Sequence, residues 1–232
     1  DGVIANQITG GGAVYKSGSG RIGLSASGSS MGSLTVSGGV LELSGDNGLT
    51  VSGAYSQNTA SGLAVTVGSG PAVSAGSASL AGALEVDGLN ITVPNSAQGL
   101  ANQRYTVITS ATDISGDFDS VSFDSSVATP DYLTLGGQIA ADLKSYFVGL
   151  GLTWEAPAET AHGNFTLTEA GDSFNLDLAL NDRSGSFASG WNGRDLIKDG
   201  LGNLIMAAVN GYTGLTDIRG GTLTANIDNA FA

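Results

Sequence analysis

The chain contains no cysteine, which removes disulfides, thiolate metal sites and cysteine nucleophiles together. That absence does not imply a reducing compartment: a secreted chain with a long stacked core needs no disulfides, and one that crosses a narrow pore unfolded gains from lacking them. Charge is scarce as well, at 12% of residues, and it is one-sided, with 8 basic against 21 acidic side chains and a net charge of −13. Such a surface repels phosphate backbones, which argues against nucleic acid as a partner. No basic cluster is present to hold an anionic membrane surface. No apolar run approaches the roughly 20 residues of a membrane helix. No basic start followed by an apolar core is present either, and the opening DGVIANQITGGG reads as the interior of a longer chain.

Glycine, by contrast, is abundant at 37 of 232 residues, with only 4 prolines. Glycine in this amount is compatible with low complexity, but 41% of residues are hydrophobic and they alternate with polar ones, which a disordered linker has no reason to do. The stretch GSLTVSGGVLELSGDNGLTVSG, residues 32–53, shows the pattern. Leu34 and Val36 flank Thr35, Leu41 and Leu43 flank Glu42, and Leu49 and Val51 flank Thr50. Each run has one apolar and one polar face, the period of a strand. Strands this short pair poorly in an isolated antiparallel sheet. Three of them wound into one triangular coil can instead pair in parallel with their equivalents above and below, giving a repeat of about 20 residues. Gly, Asn and Ser supply the corners.

The expected fold is therefore all-β, a triangular parallel β-solenoid with about 20 residues per coil. About ten coils at the inter-strand spacing would span on the order of 50 Å. The alternation recurs at Leu63-Val65-Val67, Leu84-Val86, Ile91-Val93 and Phe174-Leu176-Leu178-Leu180. The best helix candidate is short, GQIAADLKS at 137–145. Residues 1–97 read as coils, 98–160 as an irregular β section with inserted loops and a joint at 156–160, and 161–232 as coils again.

WNGRDLIKDGLGNLIMAAVNGYTGLTDIRGGTL, residues 191–223, resembles the passenger-associated transport repeat of type V autotransporters, of the adhesin (AIDA-like) type. The pattern W-x-G-x-x-L-x-K-x-G-x-G-x-L is met by Trp191, Gly193, Leu196, Lys198, Gly200, Gly202 and Leu204. Asn210, Tyr212, Thr213, Gly214, Thr216, Ile218, Gly221, Thr222 and Leu223 continue it, with Met206 and Leu215 as mild departures. YTVITSATDISGDF at 105–118 and AHGNFTLTEAGDSFNLDLAL at 161–180 are similar to blocks of the same passengers. The first resembles their folding-nucleus region, although more solenoid follows it here. The resemblance implies a right-handed parallel β-helix, a C-terminal outer-membrane barrel in the same precursor, and display on the bacterial surface or release from it.

Candidate chemistry is sparse. Gly18-Ser19-Gly20-Arg21-Ile22-Gly23 spells G-x-G-x-x-G, but a dinucleotide site needs a helix next, and LSASGSSMGS is turn-rich. Ser173, after Gly171-Asp172, would need a base within reach, and the one histidine is His162. Asp113, Asp117, Asp119 and Asp124 lack the spacing of a calcium loop. Trp154 and Trp191 fit coil-end packing better than sugar stacking. No catalytic, cofactor-binding or metal residue is expected, and no cofactor. The expected function is non-enzymatic: adhesion, cell–cell aggregation or biofilm formation, through self-association of passengers or binding of a host surface or matrix molecule. The polar faces carrying Thr35, Glu42, Thr50, Glu85 and Thr92 are its candidate surface. A spacer and folding template is the alternative, and an exported polysaccharide-active enzyme the second.

Overall fold

A computed structural model describes residues 1–44, 48–124 and 128–231. It is a parallel β-solenoid of about ten turns, with about 21 residues per coil. Among the described residues the only helical turns are Gln98–Gln103 and Thr153–Glu155, both 3₁₀. The chain forms two compact units and passes between them several times from residue 91 to residue 149.

The first unit comprises Asp1–Asn90, Tyr105–Ser126 and Gly137–Val148. One side of its coils is a parallel sheet running Gly2–Ile4, Arg21–Leu24, Gly39–Leu43, Ser61–Thr66, Ala83–Asp87 and Ser120–Phe123. Ile22, Leu41, Leu63 and Leu84 stack in register at spacings of 19, 22 and 21 residues. Leu43, Val65 and Val86 form the adjacent column. Each of these side chains from Leu41 onward is almost fully buried, worth ~1.5–3 kcal/mol apiece.

The other two sides belong to one bent sheet. The nine-residue strand Leu49–Gln57 pairs at its start with Ser30–Met31 and at its end with Ser33–Val36. The bend falls between Val51 and Ala54, where the register with Val73–Leu80 shifts. Glycine is required there by close approach: a Cβ on Gly53 would lie 2.6 Å from the Gly32 carbonyl oxygen, and one on Gly76 2.6 Å from that of Ser52. The three runs read at 32–53 are thus the three sides of a coil, and their apolar residues are its core. Asp46 and Asn47, between the second and third runs, lie outside the described residues.

Two readings fail. Residues 137–145 are not helical: strands Leu133–Ile139 and Ser145–Leu152 are joined by a turn in which the Ala140 N–H donates to the Ser145 carbonyl (2.8 Å). Leu143 there is left-handed at φ 59°. Tyr146, Val148, Leu150 and Leu152 are buried in alternation, a longer signal than one weak helical turn. Ile91-Thr92-Val93 joins no ladder. Its apolar residues do pack on a core, but the Thr92 N–H donates to Gln103 Oε1 instead of a neighbouring strand.

The second unit holds Ile91–Arg104, Val127–Gly136 and Gly149–Ala232. Two three-stranded parallel sheets form its regular sides: Asn164–Thr166, Leu196–Asp199, Thr216–Ile218, and Ser173–Leu176, Asn203–Met206, Thr222–Ala225. The alternation read at 174–180 is ladder-paired only through Leu176, and Leu178 is exposed. The core is aromatic, built from Tyr132, Trp154, Phe165, Phe174 and Tyr212 around Leu196, Leu204 and Met206. Residues 156–161 form a turn inside this unit, where Ala156 and Ala161 are buried against Phe187.

Candidate functional site

Strand alternation puts Leu196 and Lys198 on the same, inward side of their strand, so a cation enters the core beside a leucine. Lys198 is fully buried, and burial lowers its pKa. Its Nζ donates to three backbone carbonyls, those of Asp199 (2.7 Å), Gly200 (3.0 Å) and Gly220 (3.0 Å). Those oxygens belong to the corners of two successive coils; the Asp199 oxygen also accepts from the Leu167 N–H (3.0 Å), so the ammonium serves chiefly the Gly200 and Gly220 carbonyls. Lys198 therefore clamps one coil to the next. The alternation with Leu196 marks Lys198 as inward-facing in the sequence, a point the sequence analysis did not draw.

Asn210 does the same at another corner. Its Oδ1 accepts from the Leu180 N–H (2.8 Å), and its Nδ2 donates to the Ala208 and Ala230 carbonyls (2.9 and 2.7 Å). One buried amide thus touches three levels of chain. Thr213 donates its N–H and hydroxyl to Asp182 (2.7 and 2.8 Å), and these bonds hold the Asp182 carboxyl below the usual range. Tyr212 Oη and Thr216 Oγ1 share a 2.7 Å bond. Trp191 donates its indole N–H to the Asp195 carbonyl (2.8 Å) and lies edge-on to Trp154, centroids 4.7 Å apart. Trp154 is fully buried. Of the residues that carry the resemblance, Lys198, Asn210 and Thr213 are coil-to-coil staples, while Trp191 and Tyr212 make local bonds.

Polar columns line the outside of the first unit. Tyr15, Thr35, Ser56, Ser79 and Ser115 follow one another in register. Ser30, Thr50, Ser74 and Thr109 form a second column, in which Thr109 Oγ1 donates to Ser74 Oγ (3.2 Å). Glu42 and Glu85 lie one rung either side of Ala64, and both bind Arg21, Glu42 at 3.3 Å. Asp87 is beside Asp124, and burial first, then that second carboxylate, raises its pKa. Thr92 belongs to none of these columns.

The remaining candidates stay apart. The strand Arg21–Leu24 follows Gly18 and Gly20, with a turn and no helix after it. Ser173 opens the strand Ser173–Leu176, beside a groove also lined by Asp131 and Asp172. Asp131 is engaged by the Thr166 N–H and hydroxyl (2.9 and 2.6 Å), and Asp172 by the Glu169 N–H (2.8 Å). His162 precedes a strand of the other sheet, and its Nδ1 accepts from the Asn164 N–H (3.2 Å). Asp117 accepts from its neighbour Phe118 and Asp119 from Gly82. Among the described residues no group of three or more His, Asp or Glu is placed to hold a metal ion.

Comparison with known families returns one match: the passenger-associated transport repeat, over residues 196–225. No curated protein and no solved structure matches the chain. The repeat and the solenoid together fit an autotransporter passenger.

Proposed function

We propose that the chain is a non-enzymatic, adhesin-type passenger segment, displayed on or released from the bacterial surface by an outer-membrane barrel of the same precursor. The observation that carries this reading is the in-register stacking of hydroxyl side chains. Tyr15, Thr35, Ser56, Ser79 and Ser115 repeat one functional group at every coil, about 4.8 Å apart. A single hydroxyl contact is weak, but many at fixed spacing, on many copies, bind by multivalency. Self-association between passengers on neighbouring cells is the simplest partner, because a second copy carries the same spacing.

The test is the settling rate of non-adherent bacteria that display the full passenger, with and without residues 1–232, at matched surface amount. Clumping that needs the segment supports the reading. A variant with Thr35, Ser56 and Ser79 all changed to Ala then clumps less at equal display. Settling that ignores the segment overturns the reading.

A second reading, a folding template that draws the passenger outward, is favoured by the staples of Lys198 and Asn210. Both lie within the matched repeat and bind coil to coil. On that reading Lys198→Met lowers surface amount and leaves adhesion per displayed molecule unchanged.

A further inference from the structure

Lys16 is half-buried on the strand Ala13–Lys16. Its Nζ donates to the carbonyls of Ser17 (3.3 Å), Gly18 (3.1 Å) and Gly38 (2.7 Å). These are the positions one, two and twenty-two residues ahead of the lysine, as for Lys198 with Asp199, Gly200 and Gly220.

The correspondence extends through the corner. The strand bearing Lys16 pairs with the next coil at an offset of 20 residues, and the following strand at 19. The strand bearing Lys198 and its successor show the same two offsets. The Ser37 N–H donates to the Lys16 carbonyl as that of Arg219 does to Lys198, both at 2.8 Å. Gly18 and Gly39 have φ of 76° and 63°, and Gly200 and Gly221 of 74° and 65°. A Cβ on Gly39 would strike the carbonyls of Gly18 and Gly20, and one on Gly221 those of Gly200 and Gly202.

Side chains agree too. Val14, Lys16, Gly18, Gly20, Ile22 and Leu24 stand at one constant separation from Leu196, Lys198, Gly200, Gly202, Leu204 and Met206. Gly32, Val36, Gly38, Gly39 and Leu41 keep that separation from Gly214, Ile218, Gly220, Gly221 and Leu223. What is missing is the set of staples: Gly28, Ser30 and Met31 stand where Asn210, Tyr212 and Thr213 are. Two of those staples reach Leu180 and Asp182 across a spacing of about 30 residues, whereas Gly28 and Ser30 meet Gln7 and Ile8 at 21 and 22 residues.

We propose that residues 13–43 are a second copy of the transport repeat, with Lys16 as its clamp, and that each copy acts as a corner that forms ahead of the coils between them. In a solenoid, folding can start at any repeat of sufficient local stability and spread to its neighbours. The clamp supplies that stability. It satisfies carbonyls of two coils with one cation and fixes their register. The G-x-G-x-x-G of this chain is then the corner of a repeat. The role assigned to the copy rests on the template reading above.

Pulse-labelled hydrogen exchange during refolding of the chain from denaturant tests the proposal. Residues 33–43 and 216–225 are expected to gain protection in the same early phase, before 49–87. Lys16→Met should slow protection of 33–43 by about tenfold or more, as a contact made in the folding nucleus does, and leave 216–225 unchanged. Lys16→Arg, which keeps the donors, should restore the early phase. Protection of 33–43 arriving with or after 49–87, or indifferent to Lys16→Met, overturns the proposal. If the early, lysine-dependent phase is present but neither Lys16→Met nor Lys198→Met lowers surface display, the second copy stands and the template reading falls.

Discussion

A lysine ammonium out of contact with water is costly unless its donors are used, and Lys198 uses its donors on carbonyls of two coils. Lys198→Ala is therefore expected to destabilise the protein by about 2–4 kcal/mol, because it removes charge-assisted bonds and takes from the Gly200 and Gly220 carbonyls the ammonium they share. Asn210→Ala should cost about 2 kcal/mol by the same logic. Denaturant midpoints at constant m-value check both. A change confined to the neighbouring turn would contradict the assignment of these residues as staples. Their residue types and spacing were visible in the sequence, and the repeat pattern singled them out. Their role was not, because a strand's alternation shows which side a residue takes and nothing of the carbonyls it meets there. Glu42 and Glu85 show the same limit. Both were read as outward-facing and polar, but their shared partner Arg21 sits one and three coils away.

At the scale of elements, the corner between Val51 and Ala54 depends on atoms too close to admit a side chain. Gly53→Ala would place a Cβ 2.6 Å from the Gly32 carbonyl oxygen. Hydrogen exchange of the purified variant should show protection lost over 30–36 and 49–57 and kept over 196–225. Uniform loss would mean that the coils melt as a single unit. The elements legible in the sequence were those whose alternation is repeated by the coils around them, such as 33–36, 39–43 and 83–87. Residues 91–93 alternate as well, but their ladder partners are replaced by a glutamine side chain. Nothing within three residues could reveal that. The stretch 137–145 was misread because a turn flanked by strands and a short helix share Ala, Asp, Leu and Lys.

On the scale of the molecule, the buried tyrosines set the alkaline limit. Burial pushes the phenols of Tyr55 and Tyr146 upward, and that of Tyr132 to about 12. In the unfolded chain they ionise near pH ~10, so stability is full below that pH and is lost as pH rises through the folded values. Chevron or denaturant data from pH 8 to 12 should show the decline beginning near pH ~10, and Tyr132→Phe should make it shallower while leaving its onset in place, since Tyr55 and Tyr146 still titrate. A flat profile would mean that the phenols reach water. The absence of cysteine means that reductant leaves the same curves unchanged.

The regular ladder spacings of 19 to 24 residues carry a consequence for how the chain searches for its fold. Each strand finds its partner about one coil away, and closing a loop of that size costs little more than closing a shorter one. Longer returns break the habit: Leu84 waits for Val121, Val73 for Ile108, Asn164 for Ile197, Ser173 for Asn203 and Ser96 for Asn175. Outside those returns, adding coils lengthens the protein without lengthening any search, so assembly time should grow in proportion to coil number. The pauses belong to the long returns.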